Sequence, residues 1–385
     1  MIISNAKIIL EKKVILGSLV IEDGKIKAIH EGGAPLYGTA LDIHGAYLAP
    51  GIIELHSHGA AGCDFLDGGA EPILQAAKAH LAHGVTTLLA TTLACPLETL
   101  IAFFSSFREA VSQDAGNLYG IHLEGPFFSL QEKGAQEERF IIPINESFYN
   151  TVLSEAGALI KRWSLAPELE GAEKMLDDLR DTGILFSAAH TSATYDDISR
   201  AYDHGLTMLT HFYSGMSGIK REKGRRILGT IESGYLIDDL YVELICDGYH
   251  LPPELLNMIF KLKKHEMITA TSDSMRAAGM PDGPSVLGPK DNGLDVIVED
   301  GVAKLLDRSA YAGSVTIGNK MAGTLFEKAG RTMPEIFNFL SLNPARALGL
   351  EETKGSIEIG KDADLIVLDD EFNIQNVFLK GERRI

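Results

Sequence analysis

The sequence predicts an α/β fold: a (β/α)8 barrel of the TIM type with a small β-sandwich domain formed from both chain ends. Three observations support that reading. Eight apolar, strand-like runs recur through the middle of the chain with helical stretches or long connections between them, the count such a barrel needs. Both ends are instead short β-branched runs broken by turn signals. Seven of the eight central runs close on a group that can bind a metal, move a proton or hold a carboxylate, where chance would scatter such groups along the strands. In a barrel the carboxyl ends of all strands converge on one mouth, so these groups become neighbours.

Residues 1–50 form the first part of the small domain, with "AKIIL" and then "KVILGSLVIEDGKIKAIH", whose Asp23-Gly24 bend favours a hairpin. Residues 351–385 repeat the style in "GSIEIGKDADLIVLD" and "EFNIQNVFLKGERRI" and complete it. Residues 51–350 carry the barrel. Its strands are expected at "GIIELH", "GVTTLLAT", "LYGIHLE", "KRWSLAPE", "ILFSAAH", "LTMLTH", "LYVELICDG" and "MITATSD", with helices over 71–83, 96–113, 171–183 and 252–265. A doubly wound sheet is the alternative, but no G-x-G-x-x-G follows the first strand.

Composition narrows the function classes. The 385 residues are 45% hydrophobic and 23% charged, as in a soluble globular protein. No uninterrupted apolar run could span a bilayer, and "MIISNAKIIL" lacks the features of a secretion signal. Cys63, Cys95 and Cys246 are odd in number and far apart, which points to the reducing cytoplasm and away from disulfides or a thiolate zinc site. A net charge of -18 speaks against nucleic acid or an anionic membrane as partner. It does not exclude an anionic small substrate, because a site can be locally basic.

The strand-end groups are His56 with His58, Glu124, Glu168, His190, His211, Asp247 with His250, and Asp273; strand two ends instead in Thr91 and Thr92. Period-two alternation puts His56 and His58 on one face with Glu54, either holding a metal or packing. His190 and His211 singly read as core or capping histidines, but they close consecutive strands. A catalytic metal typically has three protein ligands and an open position, and Glu124 in "HLEGPFF" supplies the third. His122, on the same face as Glu124, either supports a ligand from behind or packs in the core. Asp273 in "ATSDSM" is placed to take a proton from water and return it to a leaving group, with an N-cap as its other reading. The run "GIKREKGRR" places Lys220, Arg221, Lys223, Arg225 and Arg226 after the His211 strand, as a solvated face or an anion clamp that His250 could join.

The motifs "PGIIELHSHG", "HLEGPF", "KGAQ", "LAPE", "AAHTSATY", "THFYSGM", "CDGYH", "TSDSMRAAG", "AGS" and "NPARALGL", in this order from about Leu48 to Asp369, resemble the N-acetylglucosamine-6-phosphate deacetylase family of the amidohydrolase superfamily. The resemblance implies metal-dependent deacetylation of N-acetylglucosamine 6-phosphate to glucosamine 6-phosphate and acetate, in amino-sugar catabolism. It implies a divalent metal on Glu124, His190 and His211, zinc or iron, with Asp273 as proton donor and acceptor. Some members keep a pair like His56 and His58 and bind two ions bridged by the glutamate; others have lost it. This chain keeps both, so one or two ions per subunit are implied. Substrate contacts fall at Ala135, Gln136, Ser214, Gly215, Arg221, His250 and the strand end Tyr311, Ala312, Gly313. A homodimer is implied, with the phosphate held partly by the neighbouring subunit.

Two positions depart from the family's pattern. Ser214-Gly215 stands where Asn-Ala is usual, and Gln136 where His is usual, both in the expected sugar pocket. The rival readings are N-acetylgalactosamine-6-phosphate deacetylation, another amidohydrolase reaction, or an inactive sugar-phosphate-binding barrel. Relatives with a carboxylated lysine at strand four fit less well, because Lys161 stands at that strand's start.

Overall fold

Eight parallel strands form the barrel in sequence order in the computed structural model, which describes residues 1–32, 40–113 and 116–385. They are Ile52–Ser57, Val85–Thr91, Leu118–Glu124, Ile160–Leu165, Leu185–Ala188, Leu206–Leu209, Tyr241–Ile245 and Ile268–Thr271, one for each expected run. Each pairs with the next. Last meets first through the Asp273 amide donating to the His56 carbonyl (3.0 Å) and the His58 amide donating to the Ser274 carbonyl (2.8 Å). Several strands stop one to three residues before the end of the apolar run. The functional groups of those runs therefore stand in the first turn beyond the ladder, at the mouth.

The expected helices are Ala70–Ala82, Leu97–Ser112, Ala172–Asp178 and Pro253–Leu262. Leu97–Ser112 shows why they form: Leu100, Phe103, Phe104 and Phe107 recur at helical spacing and are buried against the barrel. The helix expected over 171–183 ends at Asp178. Thr182 Oγ1 donates to the Leu179 carbonyl (2.6 Å), a local bond that competes with the helical pattern and closes a 3-10 turn before Gly183.

The small domain draws Ile2–Ile9, Val14–Glu22, Lys25–Glu31 and Tyr47–Pro50 from one end and Leu365–Leu368, Ile374–Leu379 and Glu382–Arg383 from the other. Tyr47–Pro50 pairs antiparallel with Leu365–Leu368, so both ends join one hydrogen-bonded path. Ile3, Ile8, Leu19, Leu48, Leu365, Val367 and Phe378 share its core. Asp23 and Gly24 both have positive φ (50° and 74°), as a two-residue hairpin turn requires.

An additional antiparallel meander follows the eighth barrel strand: Gly283–Leu287, Leu294–Glu299, Val302–Leu305 and Tyr311–Ser314. Only its last strand end figured in the sequence reading. The missed signal is "VIVEDGVAKL", where Asp300-Gly301 turns with positive φ as Asp23-Gly24 does. The meander has its own apolar cluster, including Met275, Leu287, Val296, Val298 and Ala312, and forms one wall of the mouth.

Candidate metal centre and substrate cavity

His56 from the first strand and His58 from just beyond it, Glu124 from the third, His190 and His211 from beyond the fifth and sixth, and Asp273 from beyond the eighth meet at the mouth, all buried. They form two groups, His56–His58–Asp273 and Glu124–His190–His211. In the second, Glu124 Oε1 lies 3.1 Å from His211 Nε2 and 3.4 Å from His190 Nε2, and the two imidazole nitrogens are 3.3 Å apart. In the first, His56 Nε2 and His58 Nε2 are 3.3 Å apart and stand 3.4 and 3.3 Å from Asp273 Oδ1. Glu124 joins the groups, with Oε1 3.5 Å from His56 Nε2 and Oε2 3.6 Å from His58 Nε2.

The strand ends are bent to achieve this. His190, His211 and Asp273 have φ of 45°, 32° and 48°, a left-handed conformation that costs energy for residues with a Cβ. A backbone bond to each carbonyl holds the bend: the Ser129 amide donates to the His190 carbonyl (2.8 Å), Ser214 to His211 (2.8 Å) and Ser314 to Asp273 (2.7 Å).

Two of the imidazoles are oriented from behind. His190 Nδ1 donates to the Glu132 carbonyl (2.9 Å), and His56 Nδ1 donates to Glu243 Oε1 (3.2 Å). Each therefore turns a lone pair on Nε2 toward the centre. Glu243 also accepts from the His211 amide (3.2 Å) and is paired with Arg162. Arg162, fully buried, further donates to Thr210 Oγ1 (2.8 Å) and Ser187 Oγ (3.2 Å). Glu243 is held well below the carboxylate range because Arg162 and His56 outweigh the burial that opposes its charge. His122 packs edge-on beneath His56 and reaches Ser164 Oγ (2.7 Å), and burial lowers its pKa well below the ordinary value. The sequence reading missed Arg162 and Glu243; a charge inside each apolar strand was the available signal.

Charges in the cluster are complementary. Burial opposes ionisation of Glu124, yet His56, His190 and His211 hold its carboxyl well below the usual range. Asp273 is lowered in the same way by His56, His58 and His211. Burial also opposes protonation of His58, but Asp273 and Glu124 raise its pKa to about 9. The donor set thus needs positive charge between its members, which protons or a cation can supply. Ligand atoms around a tetrahedral ion with bonds of ~2.0–2.2 Å stand ~3.3–3.6 Å apart, close to the 3.1–3.4 Å seen within the two groups. The residues fit a divalent metal.

A cavity of ≈ 240 Å³ opens above the cluster. Ala135, Gln136, Ser214, Gly215, His250, Tyr311 and Gly313 line it beside Asp273, Glu124, His190, His211 and His58. Ala312 does not: its methyl is buried in the meander's apolar cluster. Gln136 donates to Glu124 Oε2 (2.7 Å) and accepts from the Ala94 amide (2.9 Å), so both ends of its amide brace the glutamate. Gly215 has φ 57°, and a Cβ there would meet His190 Nδ1 at 2.9 Å and the Glu132 carbonyl at 3.1 Å. The glycine departure thus lets the backbone close on a ligand histidine. His250 Nδ1 donates to Asp247 Oδ2 (2.7 Å), and its ring packs on Tyr311. Glu168 faces elsewhere, accepting from Thr191 Oγ1 and the Ser192 amide in the loop after His190. Arg221 lies outside the cavity lining, on an exposed ribbon of Lys220–Glu222 paired with Arg225–Ile227.

Known proteins resemble this chain in sequence and fold over nearly its whole length. The amidohydrolase family model matches residues 47–384. The N-acetylglucosamine-6-phosphate deacetylase of Bacillus subtilis (strain 168) is 31% identical, covering 99% of this chain and 96% of that protein. The N-acetylgalactosamine-6-phosphate deacetylase of Escherichia coli O157:H7 is 29% identical, covering 94% and 93%. An alanine-for-aspartate variant of N-acetyl-D-glucosamine-6-phosphate deacetylase from Mycobacterium smegmatis, solved with N-acetyl-D-glucosamine-6-phosphate, superposes with a TM-score of 0.91 at 28% identity, covering 100% of this chain and 98% of that one. Barrel, ligand cluster and full-length similarity together place the chain in the amidohydrolase family, among the N-acetylglucosamine-6-phosphate deacetylases.

Proposed function

We propose that this chain hydrolyses the acetamide of N-acetylglucosamine 6-phosphate, releasing acetate and glucosamine 6-phosphate. The observation that carries the reading is the meeting of Glu124, His190, His211 and Asp273 at the floor of a sugar-sized cavity. A divalent cation held by Glu124, His190 and His211, with a second candidate position at His56 and His58, would lower the pKa of water toward ~7 and polarise the acyl oxygen. We assign zinc or iron, both suited to imidazole and carboxylate ligands.

Asp273 is held ionised and so can accept a proton from the attacking water. It then gives that proton to the departing sugar nitrogen, so the amine leaves neutral. His250, fixed through Nδ1 by Asp247, keeps Nε2 as the ring nitrogen for the substrate's polar groups. Gln136 keeps Glu124 in place rather than binding a sugar hydroxyl. Arg221 is assigned to the phosphate. Because it stands outside its own chain's cavity, a homodimer that brings the ribbon to a neighbouring mouth is the arrangement we favour. A cytoplasmic location accords with three cysteines, all free. Among the described residues no helix is long and apolar enough to cross a membrane.

The test is acetate release by the purified protein from the gluco and galacto 6-phosphates in parallel, with elemental analysis of metal per subunit. Turnover of the gluco epimer with bound metal is expected. Preference for the galacto epimer would move the assignment to the activity named for the Escherichia coli relative. Metal-loaded protein inert toward both would end it.

A further inference from the structure

We propose that His80, with Ser57 and Ser274, is a positioning unit that locks His58 against Asp273; its catalytic consequence rests on the hydrolysis proposed above. The barrel's ladder ends at its seam. Among the described residues the first and eighth strands share no regular ladder; they meet through the isolated bridge Ser57–Ser274, a few backbone bonds, and bonds from Thr271 Oγ1 and the Ser272 amide to the buried Glu54 carboxylate. The seam is also where His58 Nε2 must stand 3.3 Å from Asp273 Oδ1, with no regular register to hold it.

His80 fills that gap from below. It lies on helix Ala70–Ala82, is fully buried and touches no ligand atom of the cluster. Burial pushes its pKa down to about 3, so the ring is neutral with a single N–H. Nε2 is 2.8 Å from Ser57 Oγ and 3.5 Å from Ser274 Oγ, whereas Nδ1 has no hydrogen-bond partner. A stranded buried N–H costs more than a stranded lone pair, which puts the proton on Nε2. The rest of the chain is then directed. Nε2–H donates to Ser57 Oγ, Ser57 donates to Ser274 Oγ (2.9 Å), and Ser274 donates to the Gly59 carbonyl (3.1 Å). Ser57 sits between His56 and His58, Gly59 follows His58, and Ser274 follows Asp273. One file of protons thus ties the two sides of the seam together.

A unit of this kind acts on geometry at the reacting groups rather than on substrate affinity. His80→Leu should lower kcat ~10–100-fold with KM nearly unchanged, the scale of an ångström-level misplacement. His80→Gln, whose amide N–H can reach Ser57, should recover much of that loss. His80→Leu combined with Ser274→Ala should be no worse than His80→Leu alone, since the file is already broken. Unchanged kcat per folded molecule in His80→Leu, or losses that multiply in the double variant, would overturn the unit. If His80→Leu fails to fold, Ser274→Ala and His80→Gln carry the same comparison. A readout independent of turnover is the long-range proton–nitrogen spectrum of 15N-histidine-labelled protein. His80 should show the Nε2–H pattern, and Nδ1–H would overturn the proposal. Wild-type protein with Nε2–H but no deacetylase activity would instead count against the hydrolysis.

Discussion

His211 and the basic ribbon Lys220–Ile227 both follow the sixth barrel strand, and they have opposite fates. His211 turns at the strand end, is buried, and meets Glu124 and His190. Nine residues on, the ribbon carries five basic side chains, all exposed, and none lines the cavity. The first residue beyond a barrel strand has its position set by the ladder behind it and by its neighbours around the mouth. A surface ribbon has its backbone set by its own hairpin, while its charges take their meaning from whatever docks there.

That contrast can be broken by mutation. Asp273→Asn should have the largest effect, lowering kcat by ~10²–10⁴ with metal content unchanged, because a proton acceptor is lost without a ligand charge being moved far. Elemental analysis beside the kinetics separates this from metal loss, and near-normal turnover would remove Asp273 from proton transfer. Next is Glu243→Gln, which weakens the brace on His56 and His211 and leaves Arg162 unpaired. Metal affinity, read by chelator competition, should fall ~10–100-fold, and unchanged affinity would mean the ligands need no brace from within the barrel.

Arg221→Ala should have a smaller and selective effect: KM for the 6-phosphate should rise about tenfold, the scale of one charge-assisted hydrogen bond, with no change on an unphosphorylated analogue. Equal losses on both would show the ribbon acting on structure rather than on phosphate.

The smallest effect concerns metal-free protein. His58 is raised to about 9, so its contribution to stability is full below about 6.5 and is lost as pH rises through about 9. Glu124 and Asp273 are lowered, so theirs is present above the ordinary carboxylate range and lost only as pH falls through their lowered values. The Tm of metal-free protein should therefore fall by several degrees between pH 6.5 and 9. The metal-loaded protein should resist this loss, because a cation replaces the protons. Parallel profiles would argue that no ion enters the cluster.

Much of the site was legible as a pattern because strand-end chemistry is local. Each of His56, His58, Glu124, His190, His211 and Asp273 closes an apolar run, and barrel closure brings such ends together. The role of Gln136 was less visible. Its side chain reads as a sugar contact, yet both ends of its amide are taken by Glu124 and Ala94, a fact set by a loop's path rather than by residue type. Arg162 and Glu243 were missed because a charge in a strand looks like a solvated edge until both faces are seen to be covered. The meander was less legible although Asp300-Gly301 marks a hairpin, because its short strands follow the eighth barrel run without the strand–helix alternation that identifies the barrel.

The sequence by itself determined the eight strands of the barrel, the hairpin at Asp23-Gly24, and which side chains end the barrel strands, since these follow from apolar periodicity and turn chemistry over a few residues. The tertiary structure alone decided which nitrogen of each imidazole faces the centre, that Gln136 braces a ligand, that Gly215 must lack a Cβ, and that His80 secures the seam. Those outcomes depend on contacts between residues far apart in the chain, where hydrogen-bond direction and ångström-scale distance decide the result.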